Sequence, residues 1–186
     1  GCGERAFRAF VGAFDGTLVG NIVGDRFVGV TDHNAPRGRV VAVPLSAPDP
    51  SDPQCWEELV PQSSSVIRTA YHIGDNIYLH EFVDTYSQVR IVDQAGAETG
   101  IVPLPGLGSV NDLNAPMTEL TYCTGAEDFV FSFSSLVQSP GLYRYRRANG
   151  EIEVLRPPTV VLDDVLVEDG WATSKDGSRI PYHLVR

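Results

Sequence analysis

The side chains that could perform hydrolytic chemistry do not form a recognisable catalytic set in this sequence. A serine nucleophile of the α/β-hydrolase type lies on a sharp strand-to-helix turn, where a G-x-S-x-G motif exposes its hydroxyl. The sequence contains no such motif, and Ser109 stands in Leu107-Gly108-Ser109-Val110-Asn111 without the flanking glycines. The sequence therefore predicts no catalytic residue within the chain.

The four histidines do not indicate a metal site either. His33, His72, His80 and His183 are not spaced as two or three ligands of one metal on a helix or a hairpin would be. His80 and the adjacent Glu81 are expected on opposite faces of a strand, because strand side chains alternate. The sequence therefore predicts no metal and no cofactor, and His33 is interpreted as a hydrogen-bonded loop residue.

Charge and composition exclude several classes of partner. The 186 residues carry a formal net charge of −10 and only 14 Lys and Arg, which are scattered, so a nucleic-acid partner is not expected. No apolar run approaches the roughly 20 residues that span a bilayer, so no membrane partner is expected. Three widely spaced cysteines, Cys2, Cys55 and Cys123, favour reduced buried thiols and a cytoplasmic protein.

A repeat organises the chain. Short β-rich runs alternate with Gly, Asp, Asn and Pro, and Asp25, Asp75 and Asp128 recur about every 50 residues, a period typical of four-stranded propeller blades. These aspartates could form a carboxylate cluster, but one per blade indicates turn residues that bind local backbone donors. The innermost strands are predicted at residues 17–23, 66–72 and 119–123.

The predicted fold is all-β, a partial β-propeller of about three four-stranded blades followed by a C-terminal hairpin. The propeller segment covers residues 1–160, with blades near 17–60, 66–104 and 118–156. Residues 161–186 are predicted to be a linker and a hairpin with an Asp-Gly turn. Because blade faces are covered only by neighbouring blades, three blades leave two open faces, through which self-association is expected.

Four segments resemble the prolyl oligopeptidase family of serine peptidases. Residues 174–182 (SKDGSRIPY) are similar to the "SKDGT-IP" segment at which that family passes from propeller to hydrolase domain. Residues 31–39 (TDHNAPRGR), 108–110 (GSV) and 132–143 (SFSSLVQSPGLY) resemble further family motifs in the same order. The extra residue Gln138 before Ser139-Pro140 leaves the subgroup open, including the relative oligopeptidase B.

The resemblance implies a seven-bladed propeller that caps an α/β-hydrolase domain and admits only short peptides. This chain would supply roughly the last three blades and the first hairpin of the hydrolase domain. The complete protein would hydrolyse short, proline-containing peptides with catalytic residues beyond Arg186. Arg68 and Glu119, on predicted innermost strands, are expected to face the central channel and to influence which charged peptides pass.

A different class of function stays open from the sequence. A free-standing propeller could bind a protein or a ligand without any enzymatic partner. A reading frame that continues past Arg186 into a G-x-S-x-G elbow would favour the peptidase, and a frame that stops there would favour the binding module.

Overall fold

The chain folds almost entirely into β-strands. The computed structural model describes residues 9–111, 120–122 and 128–186. In these residues there are fifteen strands and one short 3-10 helix, Pro53–Cys55. The same part of the chain has no helix that is long and apolar enough to cross a membrane. The strands form four separate antiparallel sheets, which confirms the predicted all-β class.

The first sheet is a meander of β1 (Leu18–Val23), β2 (Arg26–Thr31), β3 (Arg39–Pro44) and β4 (Glu57–Val60). The turn between β1 and β2 consists of Gly24 and Asp25, and Gly24 has a φ of 62°. A two-residue hairpin turn of this kind needs a positive φ, which glycine adopts without strain. The Gly-Asp pair therefore fixes the register of the two strands.

The second sheet repeats this arrangement with β5 (Val66–Ile73), β6 (Asn76–Val83), β7 (Tyr86–Asp93) and β8 (Glu98–Ile101). Its first turn is again a Gly-Asp pair, in which the glycine has a φ of 60°. A second tight turn joins β6 to β7 through Asp84 and Thr85. Asp84 has a φ of 58°, a conformation that Asp tolerates better than most residues.

The third sheet has an inner strand in two pieces. β9 (Ser109–Asn111) and β10 (Leu120–Tyr122) both pair with β11 (Phe129–Ser135). The other edge of β11 pairs with β12 (Gln138–Arg146), which in turn pairs with β13 (Glu151–Arg156). Asn111 pairs with Ser132 and Leu120 pairs with the adjacent Phe131. β9 and β10 therefore follow one another along the same edge of β11.

The structure places one more strand in the third sheet than the sequence indicated. The third blade was predicted near residues 118–156, and β9 lies before these residues in the sequence. Its Val110 is buried and pairs with Phe133. A strand of three residues is too short to show alternation in the sequence. The predicted bounds of the blades stay a prediction.

A fourth, two-stranded sheet follows, formed by β14 (Val167–Thr173) and β15 (Arg179–Val185). Gly177, with a φ of 86°, lies in the turn between them. This sheet is the C-terminal hairpin that the alternating pattern and the Asp-Gly turn predict. Its assignment to a second domain that begins at residue 161 stays a prediction.

The three larger sheets stack on one another. The core between the first and second sheets contains Val28, Val40, Ala42, Leu59, Ile77 and Leu79. The core between the second and third sheets contains Tyr78, Ile91, Phe129, Phe131, Tyr143 and Tyr145. Adjacent residues of β6 enter opposite cores because strand side chains alternate. The first two sheets also contact each other through their first strands, β1 and β5. The stack is open at both ends, as in a partial β-propeller.

The outer face of the third sheet is charged. Arg144 and Arg146 both pair with Glu153, at 3.6 and 2.6 Å, and Arg146 lies 3.6 Å from Asp128. Alternation places these side chains opposite the core that contains Tyr143 and Tyr145. The expected self-association through open blade faces stays a prediction.

Candidate functional site

The predicted channel residue Arg68 lies on β5, the first strand of the second sheet. It falls at a β-bulge, because Ile67 pairs with Glu81 and Thr69 pairs with His80, so that Arg68 is the extra residue. A bulge bends the strand and redirects the side chain of the added residue. Arg68 is exposed, and its guanidinium carbon lies 5.6 Å from the centre of the Phe82 ring.

The second predicted channel residue, Glu119, lies outside the described residues, as do Cys2 and Cys123. Cys55 is described as a half-buried free thiol. The structure thus places one of the two predicted channel residues on a first strand, and the role of both in a channel stays a prediction. Within the described ranges, no group of three His, Cys, Asp or Glu side chains could hold a metal ion.

A buried ion pair lies on the face of the second sheet that packs on the first. Glu81 is only 1% exposed, and Arg90 donates two hydrogen bonds to it, with Arg90 Nε 3.1 Å from Glu81 Oε2. These hydrogen bonds raise the pKa of the Arg90 guanidinium, and Glu98 contributes a weaker contact at 3.8 Å. The pair holds adjacent strands together and is not open to a substrate.

The opposite face of the second sheet carries a buried hydroxyl that joins it to the third. Ser87 Oγ lies 2.8 Å from His80 Nε2 and accepts a hydrogen bond of 2.9 Å from the Val110 backbone N–H. The Ser87 backbone N–H donates to the Gly108 carbonyl at 2.8 Å. His80 is therefore a packing and positioning group between two sheets. The Gly108-Ser109-Val110 motif is visible in the sequence, whereas its hydrogen bonds with Ser87 are not.

A cluster of four side chains joins the C-terminal hairpin to the β6–β7 turn. Asp169 and His183 are cross-strand neighbours in the hairpin, and His183 Nδ1 lies 2.7 Å from Asp169 Oδ1. The Tyr86 hydroxyl donates to the same carboxylate oxygen at 2.6 Å. Thr85 Oγ1 lies 2.7 Å from His183 Nε2. The Tyr86 and His183 rings also lie against each other, with centroids 5.0 Å apart.

The electrostatics of this cluster follow from its hydrogen bonds. The Tyr86 and His183 hydrogen bonds hold the pKa of Asp169 below its usual range, so the carboxylate is charged at neutral pH. Burial, together with the neighbouring Asp169 carboxylate, raises the pKa of Tyr86 to about 12. Tyr86 therefore stays protonated and donates to the carboxylate over the physiological range.

The Thr85 hydroxyl, the His183 imidazole and the Asp169 carboxylate are hydrogen-bonded one to the next, in the same order as the three groups of a catalytic triad. Thr85, however, lies in a two-residue β-turn, and the described residues include no α-helix from which a nucleophile elbow could be built. Asp169 also accepts a hydrogen bond from Tyr86, which ties it to the sheet. The arrangement is a structural junction, and sequence reasoning missed it.

A pocket of about 300 Å³ lies beside this junction. Its walls are mostly apolar and come from the second and third sheets and the hairpin. The lining side chains include Tyr86, Leu107, Leu136, Val137, Val167 and Asp169. The hairpin is therefore not closely packed against the sheets at this point.

Comparison with known proteins gives consistent matches. Residues 3–158 match the sequence profile described as "Prolyl oligopeptidase, N-terminal beta-propeller domain". The chain is 26% identical over 161 residues to a prolyl endopeptidase of Elizabethkingia miricola, which covers 85% of this chain and 21% of that protein. It is 25% identical over 179 residues to a prolyl endopeptidase of Elizabethkingia meningoseptica, with 94% and 24% covered.

Solved structures extend these matches. A structure from a study of two prolyl endopeptidases and their inter-domain dynamics is 27% identical, with a TM-score of 0.81 over 99% of this chain and 26% of the other. Prolyl oligopeptidase B from Galerina marginata is 18% identical, with a TM-score of 0.75 over 96% of this chain and 25% of the other, and supports the fold alone. The chain spans about a fifth to a quarter of the length of the relatives it matches.

Proposed function

Since residues 3–158 match its N-terminal propeller domain, the chain belongs to the prolyl oligopeptidase family, and we propose that it forms part of the cap over a serine peptidase active site. The complete protein hydrolyses short, proline-containing peptides. This segment contributes no catalytic residue. The observation that carries the proposal is the stack of three antiparallel sheets, of which the first two contact each other through their first strands, combined with the family match.

Rigid stacking supports the role of a size filter. The second sheet is buried on both faces, with Leu79 directed to one core and Tyr78 to the other. The Glu81–Arg90 pair and the Ser87 hydrogen bonds add polar links on each face. A wall built in this way resists bending, because packed interiors are not continuously deformable. Short peptides then pass along the first strands, and folded proteins are excluded.

The exposed face of the C-terminal hairpin supports an interface with a further domain. Ile180, Tyr182 and Leu184 alternate along β15 on the face opposite His183, and each is about half exposed. A contiguous apolar face of this kind marks a surface that packs against protein. We assign this face to the hydrolase domain, in which the hairpin forms the first element.

Arg68 is proposed to set the charge preference of the channel. Its place at a bulge on a first strand supports this role, and the Phe82 ring orients its guanidinium. Replacing Arg68 by glutamine is expected to lower kcat/KM for acidic peptides relative to neutral peptides of equal length. Kinetics of the variant that are unchanged from those of the wild type across charged peptides would remove Arg68 from the proposal.

The peptidase proposal is tested with the protein as it is encoded, including any sequence that follows Arg186. Chromogenic peptides with proline before the scissile bond, lengthened stepwise, are expected to be cleaved up to a limiting size, whereas a folded protein with accessible prolines is not. An active-site serine reagent should abolish cleavage. Absence of a nucleophile elbow in the reading frame, or cleavage without any dependence on length, would contradict the proposal.

A further inference from the structure

A second pocket, of about 330 Å³, lies between the second and third sheets, at the end of the strands where β5 turns into β6. β6 has eight residues, beginning at this pocket with Asn76 and ending at the β6–β7 turn that contacts the hairpin. A strand of that length spans about 25 Å, so the pocket is far from the hairpin junction. Its volume falls at the lower end of the range of small-molecule sites, about 300–1,000 Å³.

Arg147 supplies the positive charge of this pocket. It lies in the turn between β12 and β13 and is half-buried. Its guanidinium extends across to the second sheet and lies over Gly74, where an added Cβ would overlap Arg147 Nη1. The glycine that the hairpin turn requires for its positive φ therefore also leaves room for a cation from the neighbouring sheet.

The Arg147 charge has no carboxylate partner in the part of the chain that the structure describes. The nearby Arg146 pairs with Glu153 and Asp128, on the other face of the third sheet. No described Asp or Glu forms such a pair with Arg147. A half-buried cation is partly removed from water, which costs free energy unless an anion compensates it. An anion that enters the pocket would supply the missing partner.

Two tyrosine hydroxyls add neutral donors beside the guanidinium. Tyr78 and Tyr145 both line the pocket and are 1% and 6% exposed, with ring centroids 6.2 Å apart. Burial raises the pKa of both hydroxyls, and the Arg147 charge acts on both in the opposite direction, because it lies close to each. Both hydroxyls are therefore protonated at neutral pH and can donate to a ligand oxygen.

This set of donors suits a carboxylate better than a phosphate. A planar guanidinium binds a carboxylate through two parallel hydrogen bonds, and one negative charge balances it. Two acidic residues lie beside the pocket, since Asp75 precedes Asn76 and Asp93 is paired with it, and they would repel the second charge of a phosphate. Ile91 and Ala148 provide apolar contact for the rest of a ligand.

We propose that this pocket binds a small organic acid through its carboxylate, with Arg147 as the charged partner and the Tyr78 and Tyr145 hydroxyls as further donors. Because such a ligand would contact the second and third sheets at once, its binding stabilises their packing. The proposal goes beyond the peptidase function and does not depend on it.

The first test measures the accessibility of Arg147 in the complete encoded protein. Phenylglyoxal modifies arginine side chains, and mass spectrometry of digested samples gives the rate at each position. A serine-directed inhibitor is added beforehand, so that benzoate bound at an active site does not contribute. Benzoate should slow the modification of Arg147 and leave that of Arg156 unchanged, since Arg156 is exposed on β13 and does not line the pocket.

Two further compounds test the ligand class. Benzamide has nearly the shape of benzoate without its charge, and it should not protect Arg147. Inorganic phosphate should protect less than benzoate at equal concentration and ionic strength. Protection by benzamide equal to that by benzoate, or stronger protection by phosphate, would overturn the assignment to a carboxylate.

Calorimetric titration with benzoate measures the affinity without the reagent. Arg147→Met keeps an apolar side chain and removes the hydrogen bonds to the charged ligand, so binding should weaken at least about tenfold, whereas Arg156→Met should bind as the wild type does. Tyr145→Phe should weaken binding about three- to tenfold. Its control is Tyr143→Phe, whose lost hydroxyl lies 3.4 Å from Gln138 at the other end of β12, and which should leave the affinity unchanged.

The proposal fails if the wild type does not bind benzoate, or if Arg147→Met and Tyr145→Phe both bind it with wild-type affinity. These readouts concern the pocket alone. A protein that binds benzoate at Arg147 without cleaving peptides would support this inference and contradict only the peptidase proposal.

Discussion

Replacing Gly96 by alanine is expected to destabilise the protein more than replacing Gly177, although the two glycines occupy the same kind of turn. Gly96 has a φ of 87° and Gly177 a φ of 86°. Each turn is closed by the same pair of backbone hydrogen bonds, and the glycine N–H donates at 3.0 Å to the residue three positions earlier. The backbone strain of an alanine should therefore be similar in both, about 1–2 kcal/mol.

The difference lies in what the added methyl group meets. At Gly177 nothing lies within 4 Å, whereas at Gly96 the new Cβ would be 1.9 Å from the backbone carbonyl oxygen of Leu59. Leu59 belongs to β4 of the first sheet, so the two sheets would have to separate locally. Overpacking of this kind costs about 1–3 kcal/mol. The total loss should be about 2–5 kcal/mol for Gly96→Ala, against about 1–2 kcal/mol for Gly177→Ala.

The assay is equilibrium unfolding in guanidinium chloride of the wild type and the two variants, with linear extrapolation of the free energy of unfolding. Unchanged m-values would show that the difference in unfolding free energy between the two variants arises in the folded state. Equal losses in the two variants would mean that Gly96 does not lie against Leu59, and the reasoning that the first and second sheets stack there would be wrong.

Two further substitutions and one titration probe the other contacts. Phe129→Ala removes a fully buried ring that lies 5.0 Å from the Tyr78 ring, and should cost about 3–5 kcal/mol of unfolding free energy in denaturant titrations. Glu81→Gln leaves the Arg90 charge without its buried partner, and should cost about 3 kcal/mol by the same measurement. Tyr86 should ionise at about 12 instead of 10.0 in an ultraviolet pH titration, because burial and a nearby carboxylate disfavour its anion.

Each of these expectations has a matched control. Val130→Ala, on the opposite face of β11, should cost about 1 kcal/mol or less, and a loss equal to that of Phe129→Ala would contradict the assigned core. Glu57→Gln breaks an exposed pair and should change stability by about 0.5 kcal/mol or less. The pKa of Tyr86 is higher in the folded protein than in the unfolded chain. Its contribution to the free energy of unfolding is therefore complete below pH 10 and is lost as the pH rises toward 12. A titration of Tyr86→Phe that matches wild type would refute the assignment.

Local signals account for the parts of the fold that sequence reasoning predicted. Gly24-Asp25 and Gly74-Asp75 specify tight turns because the turn geometry requires a residue with positive φ, and this requirement is visible in the sequence itself. Alternating apolar residues then identify the flanking strands. The third sheet departs from this pattern, since its inner strand consists of two pieces, β9 and β10.

The junction at Asp169 could not be predicted in the same way. Tyr86 and Asp169 are 83 positions apart in the chain, and neither belongs to a motif. His183 was considered only as a metal ligand, and its spacing from other histidines argued against that role. Side-chain contacts between separate sheets depend on how the sheets stack, which alternation and turn residues do not specify. Arg68 was predicted on a first strand, but its bulge was not.

The measurement that tests the account most directly is an experimental structure of the complete encoded protein. It should show these three sheets as consecutive blades around a common axis, with β1, β5 and β9 innermost, and the hairpin packed through Ile180 and Leu184 on an α/β domain that carries a reactive serine. Sheets closed into a self-contained sandwich, or a hairpin face left in solvent with no further domain, would contradict the propeller cap.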